Sequence, residues 1–270
     1  MALLNRRNFL ALSSAIPLMG CMTLESSNQL DVIKAPSPNF DARTSPPDIL
    51  VMHYTGMPSG PAALERLRDP ASKVSSHYMV EEDGRIFHLV PEERRAWHAG
   101  VSFWRGARDV NSRSIGIEIV NPGSEFGYRP FPDAQIRAVI KLTEAIRSRW
   151  TIPNGSIVGH SDVAPARKDD PGELFPWKRL AEAGHGLWVE PPSAPGAPIG
   201  AGETGAAVFA LQAGLSRLGY DCPPSGVYDP DTTAIVTAFQ RHWRPERVDG
   251  YADGDTRARL IALLKADKAT

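Results

Sequence analysis

Asp48-Ile49-Leu50-Val51-Met52-His53-Tyr54 is a strand-length stretch, apolar without interruption from Ile49 to Met52 and stopped by Thr55-Gly56. A continuous apolar run, rather than an alternating one, marks a strand covered on both faces, as in sheets flanked by helices. Further runs agree with this reading. Tyr78-Met79-Val80 and Arg85-Ile86-Phe87-His88-Leu89 flank Glu82-Asp83-Gly84, whose Asp-Gly pair supplies a tight hairpin turn. Residues 115 to 120 form another buried strand, and Ile157-Val158 a short one. Between them, Ile136, Val139, Ile140, Thr143 and Ile146 recur at helical spacing after Pro132 and Asp133, so residues 133 to 149 read as a helix. Strands interleaved with helices define an α/β fold: a mixed central β-sheet flanked by helices.

The pattern changes after Glu190-Pro191-Pro192-Ser193-Ala194-Pro195-Gly196-Ala197-Pro198-Ile199-Gly200. This proline-rich stretch resists both helix and sheet and reads as a linker over 190 to 200. Beyond it, Val208, Leu211, Leu215 and Leu218 form one helical stripe, Ile235, Ala238 and Phe239 a second, and Leu260, Leu263 and Leu264 a third. Residues 201 to 268 therefore read as a small C-terminal three-helix module. Gly226-Val227-Tyr228-Asp229 and Asp249-Gly250-Tyr251-Ala252-Asp253 are similar turns, each leading into a threonine and a helix, a faint internal repeat.

At the amino terminus Arg6-Arg7 precede the apolar run 9 to 20, the basic-then-apolar layout of an export signal. That run is too short to span a hydrocarbon core of about 30 Å. Residues 1 to 20 are expected to be a signal peptide of the lipoprotein type. Leu18-Met19-Gly20-Cys21 resembles a lipobox, which makes Cys21 the expected lipidation site, and the arginine pair resembles a twin-arginine signal, with the general secretory route the equal alternative. Residues 21 to 47, with Pro36, Pro38, Pro46 and Pro47, read as an extended tether before a main domain spanning 48 to 189. Only Cys222 accompanies Cys21, so a chain lipidated at Cys21 forms no internal disulfide.

Composition narrows the function. With 42% hydrophobic and 23% charged residues in 270, the chain is ordinary globular protein, which excludes collagen, coiled coil and wholesale disorder. Its 30 basic and 31 acidic side chains form no basic block, so the electrostatic footprint of a nucleic-acid binder is missing.

Three places can carry chemistry. His53 closes the first strand, where a side chain reaches the rim of a sheet. Val158-Gly159-His160 runs into a polar loop that contains Asp162, Asp169 and Asp170. Two histidines and one of these aspartates make a three-ligand zinc site with an open fourth position, the arrangement of catalytic rather than structural zinc. Spacing does not choose among the three aspartates. Glu118 is the third place. Alternation puts Ile115, Ile117 and Ile119 on one face and Glu118 on the other with Gly116 and Val120. A carboxylate in so apolar a strand is costly unless partnered, and a pKa raised by that setting would suit a general base. Neither Cys-x-x-Cys nor His-Glu-x-x-His occurs.

Together, His53-Tyr54-Thr55, Trp97-His98-Ala99-Gly100, Ser114-Ile115-Gly116-Ile117-Glu118 and Gly159-His160-Ser161-Asp162, continuing through Lys168, Asp170, Pro171 and Gly172, resemble the type 2 zinc N-acetylmuramoyl-L-alanine amidases. The similarity covers roughly residues 45 to 185 and is greatest to the bacterial lipoprotein branch and its cytosolic relatives that recycle anhydro-muropeptides. It implies that His53, His160 and Asp170 hold one Zn2+ per chain, because the family's third ligand lies ten residues after the second histidine. It also implies that Glu118 is the acidic catalytic residue and that Lys168 faces the oxyanion. Branches that use a tyrosine near the hairpin, and often a cysteine ligand, are disfavoured by Ser76 and Asp170 at those places. Tyr54, His77, Trp97 and His98 are the expected substrate contacts, while His88, His185 and His242 read as surface residues.

Leu211-Gln212, Leu218-Gly219-Tyr220, Gly226 with Asp229, Phe239-Gln240 and Asp249-Gly250 resemble the three-helix peptidoglycan-binding domain. The expected function is hydrolysis of the amide between N-acetylmuramic acid, or its anhydro form, and L-alanine of peptidoglycan stem peptides, in wall turnover or recycling. The expected partners are peptidoglycan, muropeptides and, through Cys21, a membrane. The expected location is the cell envelope, at the periplasmic face of the outer membrane. The alternatives are a non-catalytic peptidoglycan-recognition protein using the same groove and a zinc endopeptidase acting inside the stem.

Overall fold

The structure is a computed structural model and describes residues 30–268; the expected signal peptide and Cys21 lie outside the described residues. Its strands are β1 (Val32–Lys34), β2 (Phe40–Ala42), β3 (Ile49–Tyr54), β4 (Tyr78–Val80), β5 (Ile86–His88), β6 (Arg94–Ala96), β7 (Ser114–Ile119) and β8 (Ile157–Gly159). Its helices are α1 (Gly60–Arg68), α2 (Val110–Arg113), α3 (Gly123–Phe126), α4 (Asp133–Arg149), α5 (His160–Val163), α6 (Trp177–Glu182), α7 (Ala206–Leu218), α8 (Pro230–Trp243) and α9 (Gly254–Ala266). A single 3-10 turn, Asn154–Ser156, leads into β8.

Six strands form the central sheet in the order β1-β5-β4-β7-β3-β8, and β2 pairs with β6 in a separate ribbon. The sheet is mixed: β3 lies parallel to β7 and β8, β4 parallel to β7, and β4 antiparallel to β5 across the Asp-Gly turn. On β3 and β7 the pleat sorts side chains between two apolar clusters. Leu50, Met52, Ile115, Ile117 and Ile119 face Ile136, Val139, Leu142 and Ile146 of α4. Burial of each α4 side chain in that stripe contributes about 1.5–3 kcal/mol, which explains why one long helix covers this face. Gln135 at the start of α4 donates its amide to the Val80 and Val120 carbonyls at the strand ends.

Ile49 and Val51 point the other way, into a cluster shared with Val158, Val208, Leu211, Phe239 and Trp243. The C-terminal helices thus pack directly on the sheet rather than standing off on a flexible linker. Arg105 N–H donates to the Gly219 carbonyl, and the Trp243 indole donates to the Leu187 carbonyl across the same contact. Gly219 has φ of +145° and lies under the Trp104 ring, whose atoms a Cβ would meet at 2.9 Å. No residue with a side chain fits that close approach.

The segment expected to be a tether differs from its sequence reading. From Val32 onward it packs: β1 joins the edge beside β5, and β2 pairs with β6. Pro36 and Pro38 fall between these two short strands, where a missing N–H removes no ladder hydrogen bond. Arg43 then reaches inward to the carbonyls of Glu92, Ser112, Arg94 and Ser114. No helix among the described residues is long and apolar enough to cross a membrane.

Candidate active site

The face of β3 that carries Ile49 and Val51 ends in His53, and β7 presents Ser114, Gly116 and Glu118 on its corresponding face. His53 and Glu118 are register partners across the parallel pair, so both side chains stand at the same rim. Next to β3, β8 ends at Gly159 and the chain turns into α5, whose first residue is His160. Ser161 N–H donates to the Asp170 carbonyl at 2.9 Å, which folds the following loop back over the turn.

Three buried donors converge there. His53 Nδ1 lies 3.0 Å from Asp170 Oδ2 and 3.1 Å from His160 Nδ1, and His160 Nδ1 lies 3.2 Å from the same carboxylate oxygen. The far nitrogens of both rings are committed elsewhere. His160 Nε2–H donates to the Ala99 carbonyl at 3.1 Å, so its Nδ1 carries a lone pair. His53 Nε2 meets His98 Nδ1 at 3.0 Å, and His98 Nε2 meets Ser114 Oγ at 3.1 Å. A relay in which each Nε2–H donates leaves His53 Nδ1 as a second lone pair, the tautomer assignment that metal ligation requires.

Electrostatics agree. Burial, reinforced by the neighbouring His160, pushes His53 down to about 4, so its imidazole is neutral. Burial alone would raise Asp170, but His160 and His53 outweigh it and hold the carboxyl well below its ordinary range. A neutral imidazole at His53 and an ionised carboxylate at Asp170 are the states in which such groups bind a metal. The donor set fits zinc: a tetrahedral ion about 2.0–2.1 Å from each ligand spans edges of about 3.3 Å, close to the separations seen. The three aspartates of the loop are also told apart. Asp162 turns toward the C-terminal helices, Asp169 accepts the Tyr54 hydroxyl at 2.6 Å, and Asp170 joins the histidines.

A cavity of about 530 Å³ opens over this cluster, lined among others by Tyr54, Trp97, Glu118, Lys168 and Arg66. Glu118 Oε2 is buried and makes no hydrogen bond among the described residues. Burial first and the charge of Asp170 second raise its carboxyl well above the ordinary range, with Lys168 opposing. Lys168 is exposed on the cavity wall. Arg167 donates to the Ala99 and Val101 carbonyls at 2.9 and 2.7 Å, tying its loop to the segment that carries Trp97 and His98.

Of the four expected substrate contacts, Tyr54, Trp97 and His98 line the cavity, and His98 also supports His53. His77 does not. It is fully buried, donating Nε2–H to the Arg94 carbonyl and accepting the Gly116 N–H at Nδ1, so it braces β7 rather than touching a ligand. Sequence reading missed α1 and α3, which supply the wall containing Arg66, Ser124 and Phe126. A start signal for α1 was present: Ser59 caps the Ala62 N–H and Pro61 follows in the first turn.

A His-His-Asp cluster able to hold a metal ion thus stands at the carboxyl ends of a mixed sheet, beside a raised carboxylate. Residues 43–173 match the N-acetylmuramoyl-L-alanine amidase family, and residues 204–260 match a putative peptidoglycan binding domain. The N-acetylmuramoyl-L-alanine amidase AmiD of Escherichia coli is 37% identical over 96% of this chain and 98% of its own length. The 1,6-anhydro-N-acetylmuramyl-L-alanine amidase AmpD of Enterobacter cloacae is 33% identical over 59% of this chain and 93% of its own. Among solved structures, the complex of E. coli AmiD with the substrate anhydro-N-acetylmuramic acid-L-Ala-D-gamma-Glu-L-Lys superposes with a TM-score of 0.71 at 39% identity, covering 84% of this chain and 92% of that one. AmpDh3 of Pseudomonas aeruginosa gives 0.69 at 33% identity, covering 82% and 92%. The chain belongs to the N-acetylmuramoyl-L-alanine amidase family.

Proposed function

We propose that the chain is a zinc-dependent amidase that hydrolyses the bond between the lactyl group of N-acetylmuramic acid, or its anhydro form, and the L-alanine of a peptidoglycan stem. The observation that carries this reading is the His53, His160 and Asp170 cluster standing beside Glu118 under one cavity. His53 and His160 through Nδ1 and Asp170 through Oδ2 are the proposed zinc ligands. Bound there, zinc supplies a Lewis acid that polarises a carbonyl and lowers the pKa of water to about 7.

The chain's own residues do the rest. Glu118, held in an apolar strand with one oxygen unpartnered among the described residues, takes the proton of the attacking water and returns it to the departing nitrogen. Its raised pKa makes it a stronger base toward the water, and a pKa moved toward the operating pH lets one group both accept that proton and return it to the amine. Lys168 places a positive charge on the cavity wall where the carbonyl oxygen becomes negative. Tyr54, fixed by its hydrogen bond to Asp169, and Trp97 form walls for the sugar and stem.

The proposed setting is the cell envelope. Cys21 is the proposed lipid attachment site, facing the periplasm from the outer membrane, with residues 204–260 docking on wall material. The lipid is tested by labelling with a palmitate analogue, which Cys21→Ala must lose. The activity is tested by mass spectrometry of muropeptides incubated with the protein, with a metal-stripped sample, with zinc restored and with Glu118→Ala. Free stem peptide beginning with L-alanine, dependent on zinc and Glu118, is the expected result. Fragments cut inside the stem, or unchanged muropeptides that co-purify with the protein, overturn it.

A further inference from the structure

Asp162 is two residues from His160 and its side chain is 0% exposed. Three donors satisfy it. Gly159 N–H donates to Oδ2 at 2.8 Å, closing the turn that presents His160. The other two come from the C-terminal helices: the Tyr220 hydroxyl donates to Oδ1 at 2.5 Å, and His242 Nδ1–H donates to Oδ2 at 2.7 Å. A buried carboxylate is costly unless its lone pairs are met, so two of the three bonds that make Asp162 tolerable belong to another module.

The donors are themselves held rigidly. His242, expected on the surface, is buried and stacked between Trp177 of α6 and Trp243 of α8, with ring centroids 3.7 Å away on each side. Tyr220 follows Gly219 at the end of α7 and packs edge-on against Trp104 at 5.1 Å. Neither ring can swing away without opening the shared apolar cluster.

We infer that the C-terminal module is a working part of the metal centre: Tyr220 and His242 are positioning residues that hold the His160 turn through Asp162. This rests on the reading of His53, His160 and Asp170 as zinc ligands. The physical link is short. Asp162 Oδ2 is shared between the His242 ring and the Gly159 N–H, so a displaced carboxylate releases the turn on which His160 Nδ1 is aimed. The module then does more than dock on wall material. Its seating on the sheet sets metal affinity even when the substrate is a small soluble muropeptide that needs no docking.

The test measures zinc dissociation by chelator competition in the full protein, with thermal unfolding and steady-state kinetics on a soluble anhydro-muropeptide alongside. Tyr220→Phe keeps the ring and deletes one donor; His242→Leu deletes the other; His242→Asn restores an N–H at the position of Nδ1. Leu263→Ala, in the buried face of α9, serves as a variant that loses stability without touching the carboxylate. Tyr220→Phe and His242→Leu are expected to weaken zinc binding about tenfold or more and to lower kcat with KM within twofold, while His242→Asn and Leu263→Ala stay near wild type in affinity. Affinity within twofold of wild type in both Tyr220→Phe and His242→Leu, whatever their thermal stability, overturns the inference. If His160→Ala binds zinc as tightly as wild type, the ligand reading itself fails, and the positioning role falls with it.

Discussion

His53 and Glu118 face each other across the parallel pair β3 and β7, one strand spacing apart on the same side of the sheet. The pairing register therefore places a proposed metal ligand and a proposed proton carrier at one rim with no loop between them, so neither position depends on a flexible segment. Replacing Glu118 by glutamine keeps the volume and removes the proton acceptor. Glu118→Gln is expected to lower kcat about 10²- to 10⁴-fold with zinc content unchanged, measured by metal analysis and stem-peptide release on the same preparation. Retained activity would assign the proton transfer to another group.

Lys168 is a cation on an exposed wall, and its isolated contribution to folding is small. Lys168→Met keeps the aliphatic stem and removes the charge. If the ammonium meets the developing oxyanion, kcat falls about 10²- to 10³-fold while KM and thermal stability hardly move. A rise in KM alone would make Lys168 a substrate anchor instead.

Glu92 shows a different use of burial. Its carboxylate receives the Tyr78 hydroxyl at 2.8 Å, the Arg149 guanidinium at 2.9 and 2.6 Å and the Trp150 indole at 2.6 Å. Burial pushes its pKa up, but these donors outweigh burial and the net shift is downward. A lowered folded pKa means that the stabilisation is fully present above the ordinary value of 4.5 and is lost as pH falls through the folded value. Glu92→Gln is expected to cost about 1.5–3 kcal/mol at pH 7, and the gap from wild type should shrink below pH 4.5. Urea unfolding across a pH series reads it directly; a gap that stays constant down to the lowest pH would show that the charge contributes nothing.

The parts of this molecule that were legible in its sequence are those with long periodic patterns. The apolar run before His53, the alternation around Glu118 and the helical stripe from Ile136 to Ile146 each correspond to an observed element. Three-residue strands such as β1, β2 and β6 carry too few side chains to show a period, and β6 begins with two arginines. Spacing could not choose among Asp162, Asp169 and Asp170, because three carboxylates on one turn and its following loop differ only in what each meets across the fold. His242 looked like a surface residue because α8 is polar on average around it; its partners Asp162 and Trp177 are remote in the chain and appear only once the helices dock.

Gly116 offers the sharpest separation of stability from function. It lies within β7, where alanine would ordinarily be preferred over glycine by about 0.5–1 kcal/mol. Here a Cβ would sit 2.6 Å from His98 Cγ, 2.7 Å from Nδ1 and 2.9 Å from Cδ2. The ring cannot retreat freely, because Nδ1 is bonded to His53 Nε2 and Nε2 to Ser114 Oγ. Gly116→Ala must therefore displace the ring that orients His53 while leaving the strand well formed. The expected outcome is a folded protein with an unchanged circular dichroism spectrum, zinc affinity lowered about tenfold and kcat reduced in step. Chelator competition decides it: wild-type affinity in Gly116→Ala would mean that His98 does not orient His53, and that the small residue in β7 serves only the packing of the neighbouring strands.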